Sequence, residues 1–166
     1  RIYFTVNETF GTSLSLTAGN VCIVMSEQES GPVKLAVEAL QRDFQKVLGY
    51  KPTIVSTPGT TNGVELIITN GGLDGFESHR VYADKENNRI VIQGADMRGT
   101  IYAIYSFSEQ VLGVPPLWYW CDWQPEKKDV IEVAEDFDYY QPSPTVRYRA
   151  WFPNDEDLFV PWRRLS

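Results

Sequence analysis

Cysteine and histidine are scarce in this sequence, with two Cys and a single His among 166 residues. The lone His79 has no second histidine with which to share a metal, and Cys22 and Cys121 lie far apart, so neither residue type predicts a metal site. We expect His79 to be a surface or hydrogen-bonded histidine rather than a catalytic one. The cysteines form either one bridge or two free, buried thiols, and we favour the latter because a domain of this size needs no cross-link.

Basic patches and long apolar runs are also missing. The formal net charge is −7, and no cluster of Lys and Arg stands out to neutralise phosphates, which argues against a nucleic acid as partner. The apolar runs are too short to predict a membrane span, and no signal peptide is visible. Hydrophobic residues at 43% and charged residues at 22% are typical of a globular protein. The chain opens at Arg1 and stops at Ser166 without a natural start or end, so we expect a piece of a longer protein.

Aromatic residues, in contrast, are prominent: five Trp, nine Tyr and eight Phe. Residues 96–123 concentrate them. Apolar residues at three- and four-residue steps predict an amphipathic helix that Asp96 caps and Gly113 ends. Gly99 inside this helix indicates close approach of the helix backbone to a strand. The loop after the helix carries four large rings, which favour an interface over a ligand site: Trp118, Tyr119, Trp120 and Trp123.

Hydrophobic periodicity in the rest of the chain predicts an α+β fold, a mixed or antiparallel sheet with two main helices on one face. The other helix, which comes first in the chain, begins at Ser30-Gly31-Pro32 and ends at Gly49. Residues 134–141 are acidic and are expected to be irregular. The predicted strands are 1–6, 12–17, 21–25, 51–56, 64–69, 79–83, 89–93 and 130–133.

The end of the chain holds the best chemical candidate. Pro142-Ser143-Pro144 indicates a domain boundary, and Thr145–Phe152 alternates like a strand. Asn154, Asp155 and Glu156 follow that strand, as polar groups do at the carboxyl end of a (β/α)₈-barrel strand. Glycoside hydrolysis needs two carboxylic groups, of which this cluster supplies at most one. A solvated acidic loop is an equally good interpretation.

Three stretches together resemble the front of a glycoside hydrolase family 115 protein, a family of α-glucuronidases that act on xylan. They are ADMRGTIYAIYSFSEQVLGVPPLWYW, PEKKDVIEV and PSPTVRYRAWFPNDED, and the resemblance is densest over residues 76–162. The helix and aromatic loop also resemble, more loosely, the N-terminal domain of family 67 α-glucuronidases and the accessory domain 2 of family 20 hexosaminidases.

This resemblance implies that residues 1–144 are an N-terminal accessory α+β domain and that residues 145–166 are the first strand and loop of a truncated (β/α)₈ catalytic barrel. The parent protein would be a secreted or periplasmic inverting hydrolase that removes glucuronic acid or its 4-O-methyl ether from xylan. It would need no cofactor. Glu156 would be catalytic, while Asn154 and Asp155 would bind substrate. The four rings of the aromatic loop would form the interface.

The implied partners are the protein's own downstream barrel and a xylan or glucuronoxylan oligosaccharide, and the exposed rings could also form a homodimer. The chain alone would be inactive. Two alternatives stay open: a carbohydrate-binding module that uses the Trp loop as a stacking platform, or an accessory domain of another polysaccharide hydrolase.

Overall fold

A computed structural model describes residues 12–118, 121 and 123–150 of the chain. The predicted strand at 1–6 and the polar cluster at 154–156 lie outside these residues. The described part has the predicted α+β architecture. Its elements are β1 Ser13–Thr17, β2 Val21–Val24, α1 Gly31–Val47, β3 Thr53–Val55, β4 Val64–Asn70, β5 His79–Asp84, β6 Arg89–Gly94, α2 Met97–Phe107, a π-helical turn Ser108–Leu112 that continues α2, β7 Val130–Ala134 and β8 Asp138–Gln141.

Six of the strands form one mixed sheet in the order β3-β2-β4-β6-β5-β8, which confirms the predicted sheet type. The four strands β3, β2, β4 and β6 run parallel, with α1 as the crossover between β2 and β3. β5 is antiparallel to both β6 and β8. β1 and β7 form a separate antiparallel pair whose inward side chains join the same core. The sheet is therefore a parallel unit extended by an antiparallel edge.

β8 corrects the expectation that residues 134–141 are irregular. It pairs with β5, so that Arg80 lies opposite Tyr140 and Val81 opposite Tyr139. The acidic composition of residues 134–141 did not indicate a strand, because the arginine that pairs with Asp138 lies on the neighbouring strand β5 and not nearby in sequence. Arg80 donates two hydrogen bonds to Asp138, of 2.8 and 2.6 Å. Such cross-strand pairs stabilise a sheet edge, but local sequence does not show them.

The core lies between the helices and one face of the sheet. The apolar face of α1 is buried, with Val33, Leu40 and Phe44 fully enclosed, and the rings of Phe44 and Phe107 stack at 6.0 Å between α1 and α2. From β4, Val64, Leu66 and Ile68 contribute to the same cluster. Both helices thus bury an apolar side in one core, as predicted. The predicted face of α2 was partly wrong, because it included Tyr105, which is 51% exposed, and omitted Phe107, which is fully buried.

The start of α2 lies directly against the end of β6. Asp96 caps the helix, with its Oδ1 accepting from the Gly99 N–H at 2.7 Å. A Cβ atom placed on Gly99 would lie 2.6 Å from the carbonyl oxygen of Ser78, and one on Gly94 would lie 1.9 Å from the backbone nitrogen of Thr100. The predicted close approach of helix and strand is therefore confirmed, and it requires glycine on both elements.

Candidate functional site

The aromatic loop has one ring anchored on the core and one ring directed outward. Trp118 is partly buried against the core, and the Lys46 ammonium lies 4.9 Å from the centroid of its ring. Trp123 packs against Trp118 with the centroids 6.4 Å apart, and it is 38% exposed. Leu117 beside them is 55% exposed. Tyr119 and Trp120 lie outside the described residues.

This geometry predicts different roles for the two described tryptophans. We expect Trp118→Ala to lower the free energy of unfolding of the chain by about 2–3 kcal/mol, since it removes a ring packed on the core. Trp123→Ala should cost less, about 1 kcal/mol, because its ring is more exposed than that of Trp118. Urea denaturation of the two variants checks this. The reverse order of costs would place Trp123, rather than Trp118, in the local core.

The two cysteines differ in their surroundings. Both are free, as predicted, and Cys22 is buried with its Sγ 3.1 Å from the Thr61 hydroxyl. The expectation that both are buried is wrong for Cys121, which is exposed. Cys121 sits in the loop beyond the π-helical turn, where the chain has left the core.

A second cluster lies where the chain passes from β8 towards residue 150, and sequence analysis gave it no role. Its centre is Glu77, whose side chain is buried although it is charged. Glu77 forms an ion pair with Arg98, with Oε1 2.9 Å from Nε, and its other oxygen accepts a hydrogen bond from Arg149. Arg98 also donates to the Tyr102 hydroxyl at 2.9 Å. These residues are distant in sequence, so no local pattern indicates the cluster.

The segment that supplies Arg149 differs from the sequence prediction of a strand. Residues 145–150 alternate in sequence but form no strand, which corrects the described part of the strand predicted at 145–152. That residues 145–166 begin a catalytic barrel stays a prediction. The alternation instead separates Arg149, which reaches the domain, from Val146 and Tyr148, which are 59% and 88% exposed. A strand needs a neighbour for its ladder, and this segment has none among the described strands.

His79 lies beside this cluster and is buried and hydrogen-bonded, one of the two predicted alternatives. Its Nδ1 lies 3.2 Å from the Glu77 carbonyl oxygen and its Nε2 lies 2.9 Å from the Ser106 hydroxyl. A neutral imidazole satisfies both, donating from Nδ1 and accepting at Nε2. Burial lowers the pKa of His79 below its ordinary 6.5, against a smaller opposing effect of the Glu77 carbonyl.

This lowered pKa predicts a pH dependence of stability. Between the two pKa values the unfolded chain binds a proton that the folded chain does not, so the free energy of unfolding falls as pH drops from 6.5 through the lower folded value. Urea unfolding at pH 7.5 and 5.5 should show a smaller loss for His79→Gln than for the wild type. Carboxylates titrate in both proteins, so the difference between the two losses isolates the histidine. Equal losses would contradict its neutral, buried state.

The described residues offer little catalytic chemistry. No group of three or more His, Cys, Asp or Glu side chains within 12–118, 121 and 123–150 is placed to hold a metal ion. A depression of about 360 Å³ beside β2 and β3 is lined by hydroxyl, amide and thiol groups, including Asn20, Cys22 and Tyr50, and by no carboxylate. It cannot supply the acid and base of glycoside hydrolysis. In the same part of the chain, no helix combines the length and apolarity needed to cross a membrane.

Comparison with known structures gives this geometry a context. The chain is similar to a family GH115 4-O-methyl-α-glucuronidase with specificity for decorated arabinogalactans, at a TM-score of 0.66 and 28% identity over 81% of the chain. It also shares its fold with the N-acetyl-β-hexosaminidase of Streptomyces plicatus (TM-score 0.57, 18% identity) and the GH20 β-N-acetylhexosaminidase of Streptomyces coelicolor A3(2) (TM-score 0.57, 15% identity), each over 84% of the chain. No protein-family model matches the sequence, and no curated protein matches it.

The resemblance to family 115 and the fold shared with family 20 hexosaminidases are therefore confirmed, while the likeness to family 67 stays a prediction. The chain spans 19% of the glucuronidase and 25% of the hexosaminidases. These similarities support an accessory domain of a glycoside hydrolase.

Proposed function

We propose that this chain is the N-terminal, non-catalytic domain of a secreted or periplasmic inverting α-glucuronidase. The observation that carries the proposal is the 28% identity to a GH115 4-O-methyl-α-glucuronidase over 81% of this chain, against only 19% of that enzyme. The buried core and the lack of a carboxylate pair in the surface depression agree with a supporting role for the described domain.

The sugar removed is glucuronic acid or its 4-O-methyl ether, and the polymer is xylan. The similar glucuronidase has specificity for decorated arabinogalactans, so an arabinogalactan that carries the same uronic acid is the alternative polymer. Both substrates present the same α-linked uronic acid to the enzyme, and they differ in the chain that bears it.

The domain arrangement that we propose places the accessory domain at 1–144 and the start of the catalytic barrel at 145–166. Glu156 would act as a catalytic carboxyl group and Asn154 and Asp155 as substrate ligands at the barrel mouth. No cofactor takes part.

The aromatic loop is the surface that we propose to pack on this barrel. Leu117 and Trp123 are exposed there, and Val146 and Tyr148 are exposed on the segment that leads onward. Large exposed apolar side chains of this kind are typical of an interface, and in the isolated chain they would favour a homodimer.

The second candidate function is a carbohydrate-binding module, which the exposure of Trp123 favours. The two described rings argue against it, because Trp118 and Trp123 meet edge to face at an interplanar angle of 66°. Successive sugar rings stack best on ring faces that lie in one plane, and this pair does not provide such a platform. An interface with another protein surface has no such requirement.

Isothermal titration calorimetry of the 166-residue chain distinguishes the two candidates. The ligands are xylo-oligosaccharides and arabinogalactan oligosaccharides that carry 4-O-methylglucuronic acid, with the undecorated oligosaccharides as controls. We expect no saturable heat with any of them. Saturable binding that Trp123→Ala abolishes would overturn the accessory-domain proposal in favour of a binding module.

A further inference from the structure

We infer that residues 75–77 form a junction seam that holds the outgoing segment 143–149 at one place on the domain, with Glu77 as its anchor. The inference rests on the proposed function only in naming a catalytic barrel as the unit to which this segment leads. The seam itself is a property of the described chain.

Three successive residues of the seam each contact the outgoing segment. At Gly75, an added Cβ would lie 2.7 Å from the Cβ of Ser143, so the Ser143 side chain lies directly against the Gly75 backbone. The ring of Phe76 lies 5.4 Å from the Arg147 guanidinium. Glu77 accepts a hydrogen bond from Arg149. Contacts at three consecutive positions define a path for the segment, which a single surface ion pair would not.

Glu77 carries two energetic costs in the folded chain, one from its backbone conformation and one from its buried carboxylate. Glu77 has a φ of +59°, a left-handed conformation that is unfavourable for a residue with a side chain. Its side chain is only 6% exposed, and a buried carboxylate is tolerated when charged hydrogen-bond donors satisfy it. Here Arg149 donates a hydrogen bond to one oxygen, and the Arg98 guanidinium forms an ion pair with the other. Such a buried charge with one partner on α2 and one on the outgoing segment ties these two parts together.

The backbone of Glu77 is fixed by Asp96, the residue that caps the start of α2. The Glu77 N–H donates to Oδ2 of Asp96 at 3.0 Å, while Oδ1 of Asp96 caps the helix. The position of the Glu77 carboxylate is therefore coupled to the helix start. The outgoing segment consequently joins the rigid part of the domain and does not behave as a free linker.

The Arg80–Asp138 pair on the neighbouring strands offers a contrast. Its side chains are 39% and 45% exposed, so solvent screens the pair and its loss leaves no buried charge. Its two hydrogen bonds join β5 to β8, and both lie within the sheet edge rather than on the outgoing segment. Removing this pair serves as a matched control for removing the seam.

Limited trypsin digestion of the 166-residue chain tests the seam through cleavage after Arg147, a site that every variant keeps. We expect Glu77→Gln and Arg149→Ala each to raise the cleavage rate about tenfold or more, since a charge-assisted hydrogen bond must open before the protease can bind. Rates are normalised to those of each urea-unfolded variant, which removes effects on trypsin's own preference. Asp138→Asn should stay within about twofold of the wild type.

Unchanged cleavage in both Glu77→Gln and Arg149→Ala would overturn the seam. If Glu77→Gln loses the fold, Arg149→Ala decides alone, because Arg149 lies in an exposed segment outside the sheet and helices. No sugar and no further domain enters this test. Unchanged cleavage would therefore not contradict the proposed function. Evidence against the proposed function would likewise not contradict the seam.

Discussion

Replacing Gly94 with alanine should strongly destabilise this small domain. The added Cβ would lie 1.9 Å from the backbone nitrogen of Thr100 and 2.3 Å from the carbonyl carbon of Gly99, and backbone atoms cannot rotate away as a side chain can. The helix start and β6 would have to separate, breaking the packing that orders α2. We expect a loss of about 3 kcal/mol or more in the free energy of unfolding, or roughly 6–12 °C in Tm.

Gly31→Ala is the matched control for this substitution. Gly31 is the first residue of α1, and a Cβ there would have no heavy atom within 4 Å. Its Tm should stay within about 2 °C of the wild type. Thermal denaturation followed by circular dichroism measures both variants. A stable Gly94→Ala chain would show that the backbones of the helix start and of β6 are not in close contact.

The second expectation concerns Glu156 in the longer protein that we propose. Glu156→Gln keeps the size of the side chain and one acceptor oxygen but removes its ability to transfer a proton. If Glu156 is a catalytic carboxyl group, kcat for release of the uronic acid should fall by about 10²–10⁴ while KM changes little. Steady-state kinetics on a 4-O-methylglucuronic acid-substituted xylo-oligosaccharide gives both constants.

Glu86→Gln supplies the control for this measurement, because Glu86 lies exposed in the turn between β5 and β6. It should leave kcat and KM at the wild-type values. A rise in KM with unchanged kcat in Glu156→Gln would make Glu156 a substrate ligand instead. No change in either constant would return the acidic cluster to its alternative interpretation as a solvated loop.

The local sequence pattern predicted those helices and strands in which the buried residues recur at a regular spacing. The apolar face of α1 and the fully buried β2 were readable because tertiary packing and local periodicity agree at those positions. The Asp96 cap and the close approach at Gly99 could be predicted from the sequence. An aspartate just before a helix is typically its cap, and a glycine in the first helical turn is typically required by a close neighbour.

Long-range pairing was not readable in the same way. β8 is held by its ladder with β5, where Asp138 pairs with Arg80, 58 residues away, and its acidic composition pointed locally to a loop. The Glu77 cluster depends on Arg98, Arg149 and a left-handed backbone, none of which leaves a pattern in the sequence around Glu77. The alternation at 145–150 predicted a strand because a period of two is also produced by a segment that lies with one side on a surface.

The most direct test of the accessory-domain proposal compares the longer protein with the 166-residue chain on xylan and arabinogalactan oligosaccharides that carry 4-O-methylglucuronic acid. Proton NMR follows the uronic acid released. The proposal predicts that the longer protein releases 4-O-methylglucuronic acid, initially as the β-anomer because an inverting enzyme acts on the α-linkage, and that the shorter chain releases none. Release by the shorter chain alone, or no release by the longer protein from either the xylan or the arabinogalactan substrate, would contradict it.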